Sequence, residues 1–385
     1  MRLLPILAPV IALAACNGTG EAVGSSNAAI ADARGGAAAG AKPFAVQPLG
    51  TFNEPWAMTF LPGTAQALIT QKNGELLLWS EGARPITVTG GPRVDYGGQG
   101  GLGDVVLHPR FAQNRLVYLS WIEAGEGDTR GAVVGRGRLV TEGGAARIEG
   151  LQTIWRQQAK VAGRGHYGHR IVFAPDGHMI ITNGERQKFD PAQDPAQTLG
   201  KIVRLNDDGS VPADNPWAGK GGVSAQLWSM GHRNPLGLAF APDGRLWEHE
   251  MGPAGGDEFN LIERGSNYGY PIVSDGQHYD GRDIPDHKTR PEFNAPEVTW
   301  TPVISPSSLI FYTGSAFPAW RGSALIGGLS SEALIRVTID GNGAREAERF
   351  AMGARIREVE QGPDGSVYLL EDGKSARLLR LTPAR

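Results

Sequence analysis

The chain has 385 residues, of which 55 are Gly and 26 Pro, with 41% hydrophobic and 8% aromatic residues. That apolar content excludes a disordered chain, and glycine without a G-X-Y period excludes collagen. A formal net charge of −3 gives no global basic field for nucleic acid, and a single cysteine excludes both an internal disulfide framework and a cysteine-based zinc site.

Residues 1–15 read MRLLPILAPVIALAA, with Arg2 as a positive start and an apolar run from Leu3 to Ala15 that is too short to span a bilayer. This is a secretory signal pattern. Its end, Leu13-Ala14-Ala15-Cys16, resembles a bacterial lipobox, in which the cysteine becomes the lipidated first residue of the mature chain. An ordinary signal peptide with an incidental Cys16 is the alternative. Asn17 is not the Asp associated with inner-membrane retention, which favours the outer membrane. Residues 17–42 hold 15 Ala or Gly among 26 positions, the composition of a flexible tether. The expected organisation is a lipoprotein signal peptide (1–15), an Ala/Gly-rich tether (16–43) and one folded domain (44–385), held by a lipid anchor on the periplasmic side of the cell envelope.

Within that domain a unit recurs: an apolar residue, a small or apolar residue, Pro, a turn, then alternating apolar residues. It appears around Pro62, Pro109, Pro175, Pro242, Pro318 and Pro363, at intervals of roughly 45–75 residues. In the Pro-Asp-Gly copies, Pro presets φ, Asp bonds nearby backbone and Gly supplies φ > 0. The run that follows reads as a half-buried strand. Long 3.6-residue periodicity is missing, which argues against a TIM barrel or a Rossmann fold. The expected fold is all-β, a six-bladed propeller of four-stranded antiparallel blades. The longer middle intervals imply insertions at the mouth of the central channel.

Four segments carry chemistry. GRGHYGHR, from Gly163, puts His166 and His169 in a Gly-rich loop, either as a general base, as merely exposed side chains or as part of a metal site. GHRNPLGLAFAPDG, from Gly231, offers Arg233 and Asn234; the guanidinium suits a carboxylate or developing negative charge, or simply ties a loop. EHEMGPAGGDEFNLIERGSNYGYP, from Glu248, combines exposed backbone carbonyls at Gly252-Pro253 with Asp257 and Glu258, oxygen ligands of the kind Ca²⁺ prefers. Arg355 and Arg357 lie at period 2, on one strand face, where two guanidinium groups repel unless an anion sits between them. Gln99 is a polar side chain among glycines that permit close ligand approach.

Together, GQGGLGDVVLHPRF, HYGHRIVFAPDG, GHRNPLGLAFAPDG, GPAGGDEFNLIERGSNYGYP and RIREVEQGPDG resemble, in order, the PQQ-dependent soluble sugar dehydrogenases, the glucose/sorbosone dehydrogenase family. The resemblance spans about residues 47–383 and implies a six-bladed propeller. It implies that His166 takes the hydroxyl proton at the sugar's anomeric carbon while a hydride passes to PQQ. It also implies that Gly252 and Pro253 hold Ca²⁺ through their carbonyls and that Arg233 stabilises the arriving charge. Gln99, Asn234, Arg355 and Arg357 match cofactor or substrate contacts, and the three carboxylates of PQQ would supply the anion the arginine pair requires. Three departures stand out. Ser330-Ser331-Glu332 follows ALIGGL where the family usually has a Lys on PQQ, Gly165 replaces an Asp of some relatives, and Met251 replaces a His. Trp300 is the candidate aromatic wall for the sugar.

The function expected is PQQ- and calcium-dependent oxidation of aldose sugars to lactones, with electrons passed to an external acceptor (quinone, cytochrome or dye), since the chain has no C-x-x-C-H haem motif. A non-catalytic propeller lipoprotein that binds sugar or a protein partner, and a calcium-dependent lactone hydrolase, are the alternatives.

Overall fold

The three Pro-Asp-Gly turns fold alike. Gly177, Gly244 and Gly365 take φ of +90°, +86° and +80°. Their N–H groups donate to the carbonyls of Ala174, Ala241 and Gly362 at 2.9, 2.9 and 3.0 Å. In each, the Asp Oδ1 accepts from the backbone N–H two residues on, at 3.1, 3.0 and 3.0 Å. The turn residues therefore specify the geometry locally.

The computed structural model describes residues 42–384. The expected signal peptide, Cys16 and the tether up to residue 41 lie outside the described residues. Each of the six proline units follows the first strand of an antiparallel meander: Pro55–Phe60, Leu102–Leu107, Gly168–Phe173, Pro235–Phe240, Pro306–Phe311 and Ile356–Gln361. Four sheets have four strands each, and a nine-stranded sheet consists of two meanders joined by a short parallel pairing, Val88 to Ala146 and Thr89 to Arg147. In the last sheet the fourth strand comes from the start of the domain: Phe44–Phe52 lies antiparallel to Ala376–Pro383.

The six first strands pack in cyclic order, Pro55–Phe60 against Leu102–Leu107 and so on round to Ile356–Gln361, which returns to Pro55–Phe60. Apolar clusters fill the spaces between successive sheets. One sets Tyr118 and Trp155 against Ile171 and Val203, and another closes the circle with Phe52 and Leu370 against Met58 and Ile69. Stacked, twisted meanders around an axis are consistent with a β-propeller. Trp300 belongs to one of these clusters. It is buried, and its indole N–H donates to Glu346 Oε2 at 2.7 Å, so it is not a wall of the site.

Every first strand has a register shift near its N-terminal end. Such bulges re-aim side chains. Buried hydroxyls of three second strands satisfy the N–H groups that the shift removes from the ladder. Thr70 accepts from Ala57 (3.0 Å), Ser120 from Asp104 (2.8 Å) and Thr182 from Arg170 (3.0 Å). The axis below is closed by Arg170. This buried guanidinium bonds Asp104 (3.2 Å), the Leu236 and Ser307 carbonyls (3.1 Å each) and Glu358 (3.1 Å), and lies over the Trp56 ring. Burial pushes the Glu358 carboxyl up to about 8, against the pull of Arg170.

Candidate active site

The bulged ends of the first strands face one mouth of the ring. A cavity of about 310 Å³ opens there, lined by Trp56, Gly168, His169, Leu236, Arg355 and Arg357 from those strand ends and by Gln99 and Lys72 from flanking loops. Its aromatic lining is a stacked pair: Trp56 and His169 lie face to face at 4.9 Å with their planes 18° apart. His169 is buried, bonds Ser120 Oγ at 2.7 Å, and burial pushes it down to about 3, so it is neutral. The rim is cationic. Arg355 and Arg357 both bond Asp372, at 2.9 and 3.0 Å. The anion between the two arginines is thus built into the chain, and their spacing does not by itself demand a bound one. Burial raises the Asp372 carboxyl, but Arg357 and Arg355 outweigh it and the net direction is down.

A second cavity of about 220 Å³ is lined by His166, Glu185, Arg233, Pro253, Tyr270 and Tyr279, among others. Gln99 links the two cavities, lining the first while its Oε1 accepts from the His166 N–H at 2.7 Å. His166 is buried at φ +50°, and its Nδ1 lies 2.5 Å from Glu185 Oε1. Glu185 is pinned in turn: its Oε2 accepts from the backbone N–H of Lys188 and, at 2.8 Å, of Phe189. A carboxylate on Nδ1 fixes the tautomer that leaves Nε2 as the basic nitrogen. Burial lowers the His166 pKa below its ordinary 6.5, with Glu185 acting the other way and Arg233 adding to the fall. A neutral base at pH 7 results. Nothing in the sequence marks Glu185; a carboxylate following strand Met179–Asn183 through Gly184 reads as a turn residue.

Arg233 is buried beside His166, its backbone braced by Glu250, whose Oε2 accepts from the N–H groups of Arg233 and, at 2.9 Å, Asn234. Asn234 is fully buried, lines neither cavity, and its Oδ1 has no partner. The Arg233 Nη1 donates to the carbonyls of Met251 (2.8 Å) and Gly252 (2.7 Å). The Gly252 carbonyl expected to face calcium is therefore held by a guanidinium, and a metal ion there requires Arg233 to move off. Asp257 is engaged as scaffold, accepting the N–H groups of Gly252, Ile304 and Ser305 at 2.8, 2.8 and 2.7 Å. The two histidines of the Gly-rich loop turn to different partners, which removes the paired-ligand reading. Among the described residues, His232, Glu248 and Glu250 bring ligand atoms within 4.8 Å of one another, all buried.

The sequence model of the glucose/sorbosone dehydrogenase family matches residues 52–380. The chain belongs to this family. It is 39% identical over 337 residues to the aldose sugar dehydrogenase YliI of Escherichia coli (strain K12), covering 86% of this chain and 90% of that protein. The apo-form crystal structure of the soluble aldose sugar dehydrogenase from Escherichia coli superposes with a TM-score of 0.85 at 38% identity, covering 89% of this chain and all of that one. A PQQ-bound aldose sugar dehydrogenase from Streptomyces coelicolor aligns with a TM-score of 0.72 at 26% identity, covering 88% of this chain and 98% of that one. The family match takes in both cavities, His166 and the arginine rim.

Proposed function

We propose that this chain is a PQQ-dependent oxidoreductase, built as a six-bladed propeller, that oxidises aldose sugars at the anomeric carbon to lactones and passes the electrons to an external acceptor. The observation that carries the reading is the juxtaposition of two cavities. One has a stacked aromatic pair and a cationic rim, the chemistry that suits a planar polycarboxylate, and the other holds a buried His–Glu pair joined to the first through Gln99. PQQ, when bound, supplies an electrophilic quinone that accepts hydride. The arginines at 355 and 357 would hold its carboxylates, and Trp56 would support its face. His166 Nε2 takes the proton of the anomeric hydroxyl, and Glu185 stabilises the imidazolium that forms. Arg233 lies close enough to His166 to offset negative charge developing on the quinone side of the reaction. Gly252 and Pro253 are the carbonyls we assign to calcium, once Arg233 has released that of Gly252; no step here depends on that ion.

We also propose lipidation at Cys16 and residence at the envelope, testable by fatty-acid labelling that Cys16→Ser abolishes. The central test is reconstitution with PQQ and calcium, followed by aldose-dependent dye reduction. His166→Ala should abolish turnover and spare PQQ binding measured by absorbance titration. Failure to bind micromolar PQQ would leave the non-catalytic reading, and lactone hydrolysis without dye reduction would make the chain a hydrolase.

A further inference from the structure

The cavity rim contains a cation that the sequence pattern hides in a turn. Lys72 lies in Gln71-Lys72-Asn73-Gly74, between strands Ala67–Gln71 and Leu76–Trp79. Its backbone is fastened on both sides: its N–H donates to the Glu54 carbonyl at 3.0 Å, and its own carbonyl accepts from Leu102 N–H at 3.1 Å. Gly101 passes so close that a Cβ there would sit 2.0 Å from that carbonyl. The turn is therefore fixed relative to the cavity. The Lys72 ammonium donates to the Gly98 carbonyl at 3.0 Å, lies 3.2 Å from Glu54 Oε1, and is 14% exposed. Glu54 is shared, because Tyr96 Oη also bonds it.

The charges lining this cavity are Lys72, Arg355 and Arg357 against Glu54 and Asp372, with His169 neutral. Asp372 is spent on the two arginines. Lys72 is paired with Glu54, which Tyr96 shares, so the lining carries one net positive charge, and Lys72 stands on the meander next to the one that carries the arginines. The wall at Leu329 brings no cation of its own: the next residue, Ser330, uses its hydroxyl on the Val303 carbonyl at 3.2 Å. We propose that Lys72 is a cofactor contact, placing its ammonium on a carboxylate of the planar polyanion beside the arginine pair. In this chain it would do what a cation following Leu329 would otherwise do. The inference rests on the PQQ reading above.

Absorbance titration with PQQ at two ionic strengths tests it, using wild type, Lys72→Gln and Lys72→Arg. A charge-assisted hydrogen bond lost from a polyanion site weakens binding about 10- to 100-fold. We expect that loss for Lys72→Gln, a shallower dependence on salt because one fewer charge is screened, and affinity within about threefold of wild type for Lys72→Arg. Unchanged affinity in Lys72→Gln overturns the proposal. So does a weakening that leaves the salt dependence as steep as in wild type, since that outcome marks a prop for the Gly98 loop. Wild type that binds no PQQ overturns the underlying reading instead, and the inference falls with it.

Discussion

Replacing Glu185 by Gln keeps the volume of the side chain and removes one charge from beneath His166. The consequence is twofold. The Gln carbonyl would take over the N–H groups of Lys188 and Phe189, which now bond Glu185 Oε2. That turns the amide NH₂ toward His166 Nδ1, so Nδ1 becomes an acceptor and the proton moves to Nε2, the wrong tautomer for a base. The charge term points the same way. An imidazolium and a carboxylate about 4 Å apart, centre to centre, attract by about 4 kcal/mol at an effective dielectric near 20. The amide dipole recovers part of this, leaving about 3–4 kcal/mol, or about a 100- to 1000-fold fall in kcat/KM. Because Glu185 raises the His166 pKa, its removal should also move the acid limb of the pH–rate profile lower. PQQ affinity should hold, since Glu185 lines the other cavity. Steady-state dye reduction across pH checks all three points. A variant within threefold of wild type, with its acid limb in place, would refute the assignment of Glu185 as the residue that orients the base.

Three further outcomes follow from named contacts. Thr182→Val should leave the buried Arg170 N–H without an acceptor and cost about 1–3 kcal/mol, read as a lower denaturant midpoint at unchanged m. Arg233→Gln should tighten binding of calcium or a luminescent lanthanide, because the guanidinium and the ion compete for the Gly252 carbonyl; weaker binding would mean that Arg233 orders that loop. Asp372 has its folded pKa below the ordinary 3.8, so the stability it contributes is present above that value and is lost as pH falls through the folded one. The difference in stability between wild type and Asp372→Asn should therefore hold steady above about pH 4 and narrow below it.

The parts of the molecule written in local chemistry were legible. Pro-Asp-Gly specifies its turn from three residues, so the three turns that carry it, and the strands they join, could be read along the chain. The pairing of residues 166, 233 and 99 around one mouth was legible only through the resemblance, since it depends on which ends of distant strands meet. Glu185 and Asp372 escaped because a carboxylate after a strand carries no pattern; its role appears only when His166 or an arginine from another strand arrives beside it. Trp300 misled because an aromatic near a motif is as readily a wedge between sheets as a wall of a site. The register shifts were invisible for a similar reason. Thr70, Ser120 and Thr182 each look like an ordinary strand residue until the neighbouring strand loses a ladder bond.

The strand Phe44–Phe52 has a consequence for how the chain comes to be folded at all. Its partner, Ala376–Pro383, is separated from it by nearly the whole domain and sits inside its sheet, between Phe44–Phe52 and Val367–Glu371. Ring closure is thus the strand pairing of greatest sequence separation among the described residues, and the loop entropy it must overcome cannot be offset until Ala376–Pro383 has been made. A chain interrupted before Ala376 would carry two unpaired strand edges, and these are the features that invite pairing with other chains. The arrival of Ala376–Pro383, rather than of Phe44–Phe52, decides whether this domain becomes a closed body or an open, sticky one.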